Sequence, residues 1–126
     1  MPQITPIYAA LLAGLFLWLS IRVILVRRSE RVSLGDGGNR DLERRIRAQG
    51  NCAEYAPMGL ILILLAELQG GPGWVIHLLG ITLVLGRVMH GLALSAKQYA
   101  LRVPGMALTL IVIAAAALVV LGLAIF

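Results

Sequence analysis

Four long apolar stretches, separated by short polar runs, organise this sequence. The first covers Ile4–Val26, in which Arg22 is the one charged residue. About 20 apolar residues in a helix cross the roughly 30 Å hydrocarbon layer of a bilayer, and this stretch is long enough. Arg22 lies near its end, where a long side chain is expected to snorkel to the interface. Arg27 and Arg28 follow the apolar run instead of preceding it, which predicts a retained helix and not a cleaved signal.

The segment SLGDGGNR (33–40) reads as a flexible turn-forming loop. Asp41 is expected to cap a second helix, with Glu43 in its positively polarised first turn. That helix should continue to about Leu68, with a kink or local break near Ala53 caused by Pro57. QGGPG (69–73) ends it. Trp74–Leu94 forms a third span that starts on an interfacial aromatic. The link Ser95–Arg102 carries Lys97 and Arg102, Pro104 opens the last span, and Met106–Phe126 is uncharged. The pattern predicts an all-α four-helix transmembrane bundle, a single domain over residues 1–126.

Composition agrees: 60% of residues are hydrophobic, 13% are charged, and the mean hydropathy is +0.90. Soluble domains carry nearly twice that charge. The net charge is +5, but seven of the eleven basic residues lie between Arg27 and Arg47, in the first linking stretch. That placement marks a cytoplasmic loop and excludes a nucleic-acid-binding face. Loops one and three are basic and loop two is not, so both termini are expected away from the cytoplasm. Cys52 is the one cysteine, so neither an intrachain disulfide nor a metal-ligand spacing exists. It reads as a small apolar filler. The run IAAAALVVLGLA (113–124) permits close helix contact.

Two sets of polar residues resist a packing explanation. At 100° per residue, Arg44, Arg47, Asn51, Glu54 and Tyr55 share roughly 100° of one helical face. Arg87 and His90 stand at i and i+3 deep in the third apolar run. An intramembrane arginine almost always faces a partner or a wet cavity. Either Arg87 forms a structural ion pair with Glu54, or both helices line a cavity for a charged guest. Glu67 and His77 lie near span ends within reach of interfacial water, and Tyr8 and Trp18 read as packing or interfacial residues.

The motif ERRIRAQGNCAEYAP (43–57) resembles the E-R-x-x-R-A-x-x-N-x-x-E-[YN]-x-P signature of the microsomal glutathione transferase family. That family is also called MAPEG, membrane-associated proteins in eicosanoid and glutathione metabolism. The resemblance implies a homotrimer, with glutathione as cosubstrate held between neighbouring subunits and no metal. It assigns Arg44, Arg47, Asn51, Glu54 and Tyr55 to peptide binding and Gln49 to a contact from the adjacent subunit. Arg27 or Arg28 would lie near the ligand, Arg87 and His90 would face it from the third span, and Arg102 would activate the thiol. Eicosanoid-type members commonly have tyrosines where this chain shows His90 and Leu94, which points to a bacterial-type member.

Glutathione's two carboxylates suit bidentate arginines, its ammonium suits a carboxylate, and an arginine beside sulfur favours the thiolate. The function expected is conjugation of glutathione to a hydrophobic small molecule or lipid electrophile, with peroxidase chemistry as a further capability, in detoxification. The alternatives are a noncatalytic binder of a lipid or thiol peptide, or a small proton-coupled exporter. An exporter of that kind is expected to have a carboxylate in its first span, and residues 4–26 contain none.

Overall fold

Backbone in lipid can find hydrogen-bond partners only within itself, which forces long apolar runs into helices. The computed structural model describes residues 1–126: helix α1 (Thr5–Glu30), α2 (Arg40–Leu68), α3 (Gly73–Ser95), a 3₁₀ turn (Tyr99–Leu101) and α4 (Arg102–Ile125). Four helical segments are long and apolar enough to cross a membrane. The helices run up and down: the start of α1 meets the end of α2 through Glu67, and Arg22 late in α1 meets Ser95 at the end of α3.

The helix ends differ from the expected ones in instructive ways. α1 passes through its basic exit and stops at Arg31, whose left-handed backbone (φ 54°) lets its N–H donate to Arg27 O. The cap of α2 is Asn39, not Asp41: Asn39 Oδ1 accepts from the Asp41 N–H at 2.9 Å and the Leu42 N–H at 3.1 Å. Asp41 falls inside the first turn instead, 3.2 Å from Arg44 and 3.0 Å from Arg45. The Arg45 contact is an ion pair without hydrogen-bond alignment, since Arg45 Nε has no hydrogen-bond partner. Pro57 causes no break, and α2 is continuous from Arg40 to Leu68. Pro57 lies on the exposed face, and the flanking turns keep their ladder while the Ala53 carbonyl loses one donor.

Arg22 is held at the end of its span by the last residue of α3. Its Nε donates to Ser95 Oγ at 2.5 Å and its Nη2 to Ser95 O at 2.7 Å, while its guanidinium lies 4.9 Å over the Trp18 ring. Arg45 Nη1 then donates to Arg22 O at 3.2 Å, so α1, α2 and α3 are tied at one end.

At the other end the tie is Glu67. α1 has no side-chain cap of its own. The Glu67 carboxylate supplies one, accepting from the backbone N–H groups of Gln3, Ile4 and Thr5 at 2.6–2.7 Å and from Thr5 Oγ1 at 2.5 Å. A carboxylate there also meets the positive end of the helix dipole. Beside it, Tyr8 and His77 share a 2.7 Å hydrogen bond between the Tyr8 hydroxyl and His77 Nδ1.

Between these ends the core is small and interdigitated: Leu12 and Leu19 of α1, Ile63 of α2, Leu83 of α3 and Val112 of α4 are buried. The closest approach is between α3 and α4. A Cβ on Gly105 would lie 2.6 Å from His90 N and 2.9 Å from Gly86 O, so only glycine allows these backbones to touch. This contact presses the first turn of α4 against the last turns of α3.

Glu67→Ala should leave three N–H groups at the start of α1 without their partner and lower stability by about 1–3 kcal/mol. A lowered thermal midpoint in detergent, with the helical circular dichroism retained before the transition, is the expected result. An unchanged midpoint would show that the cap is not needed.

Candidate functional site

Successive turns of α2 point Arg44, Arg47 and Asn51 the same way, because residues three and four apart share a helical face. α3 presents His90 and Leu94 with the same spacing, and Gly105 holds Arg102, the first residue of α4, against them. Together with Glu43 these residues enclose a cavity of about 270 Å³, in which Leu94 is the one apolar wall residue. Its charge is lopsided: three arginines against one glutamate. Arg44 Nε is buried without an acceptor in the chain. Such a group calls for an acceptor from elsewhere.

Arg87 lies beneath this cavity and is only 1% exposed. Its Nε donates to Thr109 Oγ1 at 2.9 Å and its Nη1 to Asn51 Oδ1 at 2.6 Å, with a further 3.3 Å contact to Asn51 O. Its Nη2 faces Met106 Sδ at 3.7 Å, and the Tyr55 ring lies 5.7 Å from the guanidinium carbon. The ion pair with Glu54 does not form. Glu54 is exposed on the outer face of α2, and neutral oxygens from α2 and α4 satisfy Arg87 instead.

A second concavity, about 550 Å³, runs along α4 past Val103, Met106, Ala107 and Leu110. It shares Asn51, His90 and Arg102 with the polar cavity. A polar chamber and an apolar groove thus meet at three residues. The arrangement fits a small anion-rich guest with its reacting end turned toward an apolar one.

Of the residues singled out in the sequence, the cavity collects Arg44, Arg47, Asn51, His90 and Arg102. Arg87 supports it from below, and Tyr55 packs on Arg87. Gln49 is half-buried and Glu54 is exposed, and both lie outside the cavity lining. Arg27 and Arg28 line a separate groove at the exit of α1, with Arg31, Val32 and Ile24. The sequence reading missed Glu43 as a wall residue, although its place one turn before Arg47 signals it. It also missed Thr109 as the acceptor for Arg87, because a lone threonine in an uncharged span gives no signal.

The sequence model of the MAPEG family matches residues 5–122. Inner membrane protein YecN of Escherichia coli strain K12 is 37% identical over 107 residues, covering 85% of this chain and 82% of that protein. YecN of Escherichia coli O6:H1 matches with the same identity and coverage.

A buried ion costs most when its partner is removed and least when the whole group is replaced by an apolar one. Thr109→Val should therefore destabilise the solubilised protein more than Arg87→Met does. The first leaves a buried guanidinium short of an acceptor, at a cost of about 1–3 kcal/mol. Thermal midpoints of the two variants check this, and the reverse order would remove the Thr109 contact from the account.

Proposed function

The chain belongs to the MAPEG family, and from that premise we propose that it is a membrane-bound glutathione transferase acting on hydrophobic electrophiles. The observation that supports this most directly is the meeting of an arginine-rich cavity with an apolar groove at Asn51, His90 and Arg102. Arg44 and Arg47 suit the two carboxylates of glutathione, and the unpartnered Arg44 Nε gains an acceptor from one of them. Glu43 takes the ammonium. The thiol then points toward Arg102, whose charge favours the thiolate, and the electrophile arrives along Val103, Met106 and Leu110. The same thiolate at the same junction would reduce a lipid hydroperoxide, the peroxidase variant of this reading.

The working assembly in this proposal is a homotrimer in the bacterial inner membrane, with the loop between α1 and α2 in the cytoplasm. Gln49, Glu54, Arg27 and Arg28 lie outside the cavity of one chain. In the trimer of this proposal they reach the peptide from a neighbouring subunit, the role that the family resemblance implies for Gln49.

Turnover of glutathione with a chromogenic aryl halide by the solubilised protein tests the reading. Saturable glutathione binding without turnover would favour a noncatalytic binder, and no binding would overturn both. By calorimetry, Arg47→Ala should weaken glutathione binding by at least about 1 kcal/mol, the value of one charge-assisted hydrogen bond. Glu54→Gln should weaken it similarly only in the oligomer, so wild-type affinity in that variant would remove the intersubunit contact.

Arg102→Ala should lower the conjugation rate near neutral pH much more than it weakens binding, with partial recovery as pH rises. The sign follows from chemistry: losing a cation beside sulfur raises the thiol pKa, and each unit is about 1.4 kcal/mol. A pH–rate profile measured with ultraviolet detection of bound thiolate decides it. An unchanged profile in a folded variant would leave Arg27 or Arg28 as the activating residue.

A further inference from the structure

His90 is 95% removed from solvent, being 5% exposed, yet its imidazole takes part in none of the hydrogen bonds formed around it. Neither ring nitrogen is itself sealed off, so both stay open to the cavity and to whatever guest it holds. The ring lines both the polar cavity and the apolar groove, so it stands at their junction. Of the three residues at that junction, Asn51 already has its side-chain oxygen occupied by Arg87. Arg102 carries only donors. His90 alone offers a free nitrogen lone pair where polar guest and apolar guest meet. The backbone that carries the ring is held in place, because Gly105 packs closely on the His90 main chain.

We propose that His90 is the proton acceptor for the thiol of the bound peptide, a catalytic role that rests on the glutathione reading above. On binding, the S–H bond breaks, its proton passes to the free ring nitrogen, and the electron pair stays on sulfur. The resulting thiolate lies between imidazolium and Arg102. Its lone pair then forms the C–S bond with the electrophilic carbon in the groove, and the leaving group departs with its bonding electrons. The imidazolium returns the proton to that leaving group or to water. The charged groups facing this nitrogen are Glu43, Arg44 and Arg47 from α2, Arg87 from its own helix, and Arg102 from α4. Arg102 stabilises the charge that forms, and His90 removes the proton that prevents it.

The chain has two histidines, so ring nitrogen-15 spectra of the solubilised full-length protein are assignable with a His77→Gln variant. Glutathione should convert the His90 signal from neutral imidazole to imidazolium. S-methylglutathione, which has no thiol proton to give, should leave it neutral. A neutral His90 with saturating glutathione, or the same change with both peptides, overturns the assignment. No binding of either peptide overturns the glutathione reading itself and this inference with it.

Kinetics supply the second arm. The base must be neutral to accept the proton, so the wild-type conjugation rate should fall as pH is lowered through the imidazole titration. His90→Gln should abolish that acidic limb and lower kcat/KM near neutral pH by about 10²-fold, the low end of general-base effects. Glutathione affinity should change much less. Added imidazole should restore conjugation in His90→Ala, which a merely structural role for the ring would not allow. A wild type that conjugates beside a His90→Gln variant with an unaltered pH profile overturns the role of His90 alone. Equal losses in affinity and rate, with the limb retained, would make His90 a peptide contact and overturn it as well.

Discussion

The guanidinium of Arg87 has to be neutralised by dipoles within the bundle, since neither lipid nor water reaches a group 1% exposed. Its acceptors come from two other helices, Asn51 on α2 and Thr109 on α4. Three helices are therefore held in one register by one side chain. Thr109 passes the constraint on, donating to Gly105 O at 2.9 Å, at the point where α3 and α4 backbones touch. The placement of His90 and Arg102 in one cavity follows from that contact.

Apolar side chains do little to choose partners in a membrane, because lipid tails are as apolar as leucine. Packing and a few hydrogen bonds must specify the arrangement. Here they cluster at three levels: the Glu67 cap on α1 at one end, Arg87 in the middle, and the Arg22–Ser95–Arg45 tie at the other end. The site lies between the second and third levels. Its walls are thus supported from below and beside, while its mouth is left to the arginines of α2 and the start of α4.

The chemistry proposed divides among neighbouring groups according to what each atom can do. Arginines hold carboxylates and stabilise sulfur's charge but cannot accept a proton. Asn51 is committed to Arg87. The imidazole of His90 fills the remaining role at the boundary between polar and apolar guests. Exposed Glu54 and the separate groove of Arg27 and Arg28 show that one chain does not gather every polar residue of the motif region.

The helices and their rough limits were legible in the sequence, because membrane thickness and backbone hydrogen bonding leave little choice for apolar runs of this length. So was the wall formed by Arg44, Arg47 and Asn51, which depends only on the 100° step of one helix. Contacts between helices were not legible. The charge of Arg87 announced a need for partners, and Glu54 was the obvious opposite charge. Only the packed bundle shows that Glu54 points outward and that Asn51 and Thr109 lie within reach. Glu67 looked like an interfacial residue, yet it caps a helix more than sixty positions away in the chain. Periodicity along one helix determines which residues share a face. Which face meets which neighbour is decided by close packing at a few glycines and by buried polar groups that must all find partners at once.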